Sequence, residues 1–241
     1  MGIASHEETT VGWIPGRSVH PVTNMGGSTP HILHTIGHSN QSADELVRFL
    51  RAHGVRAVAD VRSVPYARYC DWFNTDQIGP RLRSEGIEYV FLGRELGARP
   101  EDPACYRGGR VDLARLPERK EFQQGLELVL RGIATRPVCL MCSEADPMTC
   151  HRAIVICRAL RQRGVAMRHI LPGGGTEEHA ELERRLVKGL GLGPTLFEPD
   201  VTMEVLIQRA YDEQATRIAY AASEEAPEAK EEAASLWPSG S

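Results

Sequence analysis

Lysine is almost missing from this chain. It occurs only at positions 120, 188 and 230, so 25 of the 28 basic residues are arginine. Long apolar runs are missing too. No stretch approaches the roughly 20 apolar residues of a membrane-crossing helix, and the first 30 residues lack the charged start and apolar run of a secretory signal. A membrane partner is therefore not expected. Six cysteines in 241 residues are too few for a disulfide scaffold. Cys139 and Cys157 stand in apolar runs and read as small buried hydrophobes. A reducing, cytoplasmic setting is the expectation. A formal net charge of −4 supplies no strong basic field, which argues against a general nucleic-acid coat protein.

What is present is enough for a core, with 41% hydrophobic residues. Arginine offers a planar fork to phosphate or carboxylate. Many of the arginines fall on predicted helix surfaces, however, and codon usage accounts for most of the excess. Residues 1–29 show no periodicity and read as a flexible arm. Residues 222–241 are rich in Ala, Glu, Ser and Pro and read as a disordered tail.

Between them strand and helix signals alternate over 30–221. Strands are expected at Ile32–Ile36, Ala57–Val61, Ile87–Leu92, Val138–Met141 and Ala166–Leu171. Ser42 and Glu45 form a capping box for a helix carrying Leu46, Val47, Phe49 and Leu50. Helices are also expected over about 77–84, around Phe122–Ile133, around Ala153–Leu160, from Thr176 onward and over about 202–220, while Gly93–Pro117 reads as a long loop. This pattern predicts an α/β fold, a mainly parallel sheet of about five strands with helices on both faces in a Rossmann-like three-layer arrangement. Ligands of such sheets bind beyond the carboxyl ends of the strands.

Polar side chains follow those strands directly: Gly37-His38-Ser39-Asn40, Asp60-Val61-Arg62, Gly93-Arg94-Glu95 and Cys142-Ser143-Glu144. Any one of them suits a turn. Four together at one edge suggest a site. The densest segment runs from Cys142 through Glu144 to Cys150-His151-Arg152. Asp146 or Thr149, with Pro147, is expected to open a helix whose first turns carry Cys150, His151 and Arg152. Thiols near a helix start tend toward the thiolate.

The set Thr35-Ile36-Gly37-His38-Ser39-Asn40, Asp60-Val61-Arg62-Ser63-Val64-Pro65 and Cys142-x-Glu144 … Cys150-His151-Arg152 resembles the DUF488 family over about residues 31–190. The resemblance implies the α/β fold and carries the family pattern onto His38, Asn40, Asp60, Arg62, Pro65, Cys142, Glu144, Cys150, His151 and Arg152. It implies no reaction. Leu96-Gly97-Ala98 departs from the family's Leu-Gly-Gly.

Three readings stay open. In the first, Cys142 or Cys150 is a nucleophile activated by His151 or the helix start, Glu144 an acid or base, and Arg62 and Arg152 hold an anion. In the second, Cys142, Cys150 and His151, with His38 as a further candidate, bind zinc. Adjacent helical residues point about 100° apart, which makes Cys150 and His151 an awkward ligand pair, so no cofactor is the first expectation and zinc the alternative. In the third, the motif is structural. The leading reading is an enzyme acting on an anionic small molecule or nucleic acid, with Cys142, Glu144, Cys150 and His151 catalytic and His38, Asn40, Asp60, Arg62, Tyr66 and Arg152 binding substrate. The runner-up is a non-catalytic nucleic-acid-binding or metal-binding module. Tyr66, Arg68, Tyr69, Trp72 and Phe73, aromatics interleaved with arginine, suit stacked bases and phosphates. They suit equally a loop packed on the sheet edge. No oligomeric state is read from the sequence.

Overall fold

The structure, a computed structural model, describes residues 31–66 and 70–221. The expected arm and tail lie outside the described residues, as do Arg68 and Tyr69.

In chain order the elements are β1 (Leu33–Gly37), α1 (Ala43–Ala52), β2 (Ala57–Asp60), α2 (Thr75–Ser84), β3 (Glu88–Phe91), α3 (Gly93–Leu96), β4 (Tyr106–Arg107), β5 (Arg110–Val111), α4 (Lys120–Ile133), β6 (Val138–Cys142), α5 (Arg158–Arg161), β7 (Met167–Ile170), β8 (Thr176–Glu178), α6 (His179–Gly189) and α7 (Met203–Ile218). Six strands form one sheet in the order β3-β2-β6-β1-β7-β8, with β4 and β5 a separate hairpin. All pairings within the six are parallel except that of β7 with β8. The expected three-layer α/β architecture is what forms. Among the described residues no helix is long and apolar enough to cross a membrane.

Period-two alternation decides what each strand residue faces. Along β6, Cys139 and Met141 pack with Leu46 and Leu50 of α1 and Leu82 of α2, whereas Val138, Leu140 and Cys142 face the opposite layer of α4, residues 152–161, α6 and α7. The last residue of the central strand therefore points its thiol at the helix that follows Cys150. The capping box of α1 forms as read, with Ser42 Oγ accepting from Glu45 N at 3.2 Å and Glu45 Oε2 accepting from Ser42 N at 3.1 Å.

Three local expectations are corrected. Thr176 does not open a helix. Gly173 and Gly174, both at φ +86, turn the chain back, so Thr176–Glu178 pairs antiparallel with β7 and α6 begins at His179. The stretch 93–117 is not a plain loop, since it holds α3, the β4–β5 hairpin and 3₁₀ turns. Asp146 caps only a 3₁₀ turn, Pro147–Thr149, and the chain then extends at Cys150 (φ −127, ψ 136) before a π-helical stretch over Arg152–Cys157. Wide turns of this kind concentrate at functional sites.

Candidate functional site

The carboxyl ends of β1, β6 and β2 lie side by side, with β6 in the middle. The register extends past the strands: His38 N donates to Cys142 O at 2.9 Å and Ser39 N to Ser143 O at 2.8 Å. Gly37 makes that approach possible. A Cβ built there would stand 1.8 Å from Glu144 O and 2.6 Å from its carbonyl carbon.

Cys142, Glu144, Cys150 and His151 come together, with one ligand atom of each lying within 4.8 Å of the others. Glu144 Oε2 lies 3.1 Å from Cys142 Sγ and 2.9 Å from Cys150 Sγ. His151 Nδ1 lies 3.7 Å from Cys142 Sγ and 3.9 Å from Cys150 Sγ. His151 Nε2 sits 3.1 Å from Val61 O, a carbonyl that only accepts, so Nε2 carries the proton that makes this bond. The imidazole is thereby fixed with Nδ1 toward the sulfurs. The expected mismatch between Cys150 and His151 does not arise. With Cys150 extended rather than helical, the 100° helical offset does not apply, and both side chains reach the same point.

Cys142, Cys150 and His151 are buried, whereas Glu144 and Ser143 are exposed residues at the mouth. The Glu144 carboxyl itself is turned inward onto the thiols. Its removal from water, with the charge and hydrogen bond of Cys150, raises its pKa. The two thiols titrate as a pair. Cys142 is pushed up by its hydrogen bond to Cys150 and by burial. Burial also pushes Cys150 up, but the bond from Cys142 and the charges of Arg152 and His151 outweigh it and hold that thiol low. Burial alone would depress His151, yet the hydrogen bond and charge of Cys150 carry it upward.

The arginines read as anion holders are engaged by the protein. Arg152 is wholly buried, with Nη1 donating to Glu144 O at 2.6 Å, Nη2 to Ala145 O at 3.1 Å and Nε to Thr35 Oγ1 at 3.4 Å. Arg62, also buried, donates from Nε and Nη2 to Asp60, from Nη2 to Phe73 O at 2.8 Å, and from Nη1 to His38 Nε2 at 3.2 Å. Asp60 further accepts from Tyr89 Oη at 2.8 Å. His38 stacks on Phe73 at 4.2 Å and donates from Nδ1 to Ser39 O at 2.9 Å. Burial and the Arg62 charge pull its pKa down to about 4, so it is neutral and committed. Asn40 and Tyr66 are exposed, Asn40 meeting the neighbouring Ser39 hydroxyl at 3.4 Å, and no contact joins either of them to the four-residue cluster.

Sequence reasoning singled out the four clustered residues but missed their supports, Gly37, Thr35 and the Val61 carbonyl. The tight Ile36-Gly37-His38 step was the available signal for Gly37. Ser39 is strained as well, at φ +46, a conformation that L side chains rarely adopt. Ser39→Gly is expected to leave stability within about 1 kcal/mol, whereas Ser39→Val is expected to lose about 1–3 kcal/mol, as read from paired chemical-denaturation midpoints.

No curated protein matches the chain, and no solved structure does either. A family model does match, over residues 42–159, a span that holds the whole cysteine–histidine–glutamate cluster and leaves out β1, α6 and α7. Over that span the chain matches the family described as a domain of unknown function, DUF488.

Proposed function

We propose that Cys142, Cys150 and His151 hold a zinc ion whose fourth position is taken by Glu144 and opens to substrate, making this the metal centre of an enzyme. The observation that carries this reading is the packing of four candidate ligand atoms, two thiols, an imidazole and a carboxylate, within 4.8 Å of one another. Metal–ligand bonds of about 2.0–2.3 Å imply ligand–ligand edges of roughly 3.3–3.8 Å. The edges from Glu144 to the two sulfurs, 3.1 and 2.9 Å, are shorter than that and those from His151, 3.7 and 3.9 Å, lie at its upper end, so an ion would enter with a small outward shift of the Glu144 carboxylate. His151 has the second-shell bond that metal-bound imidazoles usually have. Charge balance agrees: two thiolates and a carboxylate are offset by a divalent ion and the buried Arg152 guanidinium. Three buried ligands with an exposed fourth is the pattern of sites that keep a position for substrate. Zinc there would lower the pKa of a bound water, and Glu144, once displaced, would stand within reach to take its proton.

The partner in this reading is an anionic small molecule or a nucleic acid. With Arg62 and Arg152 engaged by the protein, its anionic group would bind at the metal's open position rather than in an arginine clamp. A cytoplasmic setting, where thiols stay reduced, belongs to the same reading. The test is elemental analysis of the full chain purified under reducing conditions. One zinc per chain is expected, lost in Cys142→Ser and Cys150→Ser and kept in Asn40→Ala. A wild-type chain that holds no zinc after exposure to a molar equivalent would overturn the proposal.

A second reading is favoured by one observation, the low-lying Cys150 thiol beside a His151 whose pKa is raised. Without metal these two form a thiolate–imidazolium pair suited to nucleophilic attack. Under that reading iodoacetamide labels Cys150 ahead of Cys70 and Cys105, and added zinc does not protect it.

A further inference from the structure

Behind Arg152, away from the mouth, a second polar system runs through the core. Thr35 Oγ1 lies 2.8 Å from His169 Nδ1, His169 Nε2 lies 2.9 Å from His179 Nδ1, and His179 Nε2 lies 2.9 Å from Tyr211 Oη. Tyr211 Oη donates to Glu183 Oε1 at 2.9 Å, and that carboxylate pairs with the guanidinium of Arg161, whose Nε lies 2.7 Å away. Thr35, His169, His179, Glu183 and Tyr211 are all buried.

The two ends fix every proton between them. Glu183 only accepts, so the Tyr211 hydrogen goes to it, and the Tyr211 oxygen must receive from His179 Nε2–H. A neutral His179 then accepts at Nδ1 from His169 Nε2–H. His169 in turn accepts at Nδ1 from the Thr35 hydroxyl. Thr35 thereby turns its lone pairs to the remaining donor, Arg152 Nε, which cannot accept. Burial keeps both imidazoles neutral: His169 is drawn down to about 2, with the His179 and Arg152 charges adding, and His179 to about 4, with Arg161 adding. The chain of donors thus runs one way, from Arg152 at the site to Glu183 between α6 and α7. Each residue in it except Arg152 lies outside the 42–159 family span.

We infer that Thr35, His169, His179 and Tyr211 are positioning residues for the candidate metal centre: they orient Arg152, which holds the Glu144 and Ala145 carbonyls and so aims the Glu144 carboxylate at the two sulfurs. The C-terminal helices are then part of the site through Arg152, beyond the direct bonds of Arg185 to Asp146 and of Gln214 to Met148 O. The role in metal binding rests on the zinc proposal, whereas the proton arrangement does not.

Two measurements separate these. Long-range ¹H–¹⁵N spectra of histidine-labelled full chain should show His169 and His179 each protonated at Nε2 and bare at Nδ1. A proton on Nδ1 of either ring overturns the inference, whatever the metal does. Cobalt(II), followed through its thiolate charge-transfer band, then reads the coupling. Thr35→Val should weaken cobalt binding about tenfold, as outer-shell losses do, and Tyr211→Phe should weaken it less. Thr35→Ser, which restores the hydroxyl, should bind within about twofold of wild type. A purely structural network would lower the melting temperature of Thr35→Val and leave cobalt affinity unchanged, which refutes the positioning role. Should Thr35→Val not fold, Tyr211→Phe against wild type decides the same point. If the wild-type chain binds no cobalt, the zinc proposal fails. The positioning role is then judged on the iodoacetamide rate at Cys150, which must change severalfold in Thr35→Val and return in Thr35→Ser for the inference to stand.

Discussion

Asp60→Ala is expected to destabilise the chain by about 3–5 kcal/mol, the cost of leaving a buried charge unpaired. Asp60 is wholly buried and takes three kinds of donor at once: the Arg62 backbone N–H, the Arg62 guanidinium and the Tyr89 hydroxyl. Removing the carboxylate strands Arg62 beside Phe73 and His38 with no counter-charge, and leaves the Tyr89 hydroxyl only the Thr75 hydroxyl, 3.2 Å away. Against a total stability of about 5–15 kcal/mol, the loss would unfold a large share of the chain on mild heating. Replacing the pair together, as in Asp60→Leu with Arg62→Met, should cost much less, since no charge is then left behind. Urea denaturation of the wild type and the two variants checks the ordering. A single mutant as stable as the double mutant would show that Arg62 finds another partner.

Gly37→Ala should act on the site and on stability together. The added methyl would meet the Glu144 carbonyl oxygen at 1.8 Å, and that carbonyl is held by Arg152 at 2.6 Å. The backbone of Glu144 has to retreat, which carries the carboxylate away from both thiols. Overpacking of this kind costs about 1–3 kcal/mol, and zinc content should fall well below one per chain. Gly193→Ala, whose methyl meets nothing within 4 Å, is the control and should stay within about 0.5 kcal/mol of wild type. A Gly37→Ala chain with unaltered zinc content would mean that the 37–144 contact does not set the site.

Local chemistry made most of the fold legible. The Ser42–Glu45 box and the apolar strands each carry a short-range physical cause that composition and spacing expose, and the four clustered site residues stood out because they crowd one segment. The failures have two origins, near partners whose claim on a side chain was not weighed and contacts between residues far apart in the chain. Arg62 and Arg152 read as anion holders although Asp60 lies two residues from the first and the Glu144 and Ala145 carbonyls eight and seven from the second; that Phe73, His38 and Thr35 complete their bonding is invisible locally. The Thr35–His169 bond joins residues 134 positions apart and leaves no periodic trace. Cys150 looked helical because Asp146 and Pro147 do open a turn. The turn is 3₁₀ and stops after Thr149, where Cys150 is extended.

The four candidate ligands fall within ten consecutive residues, Cys142 to His151. Zinc held there would have a rival host in the unfolded chain itself, since a short peptide with two thiols, an imidazole and a carboxylate chelates without any sheet. Stabilisation by a ligand reflects its preference for the folded form, and affinity for the unfolded form subtracts from it. Zinc would therefore raise the melting temperature by less than its tightness suggests. During synthesis the ion could be captured as soon as residue 151 leaves the ribosome, before the β7–α7 segment exists to aim Glu144.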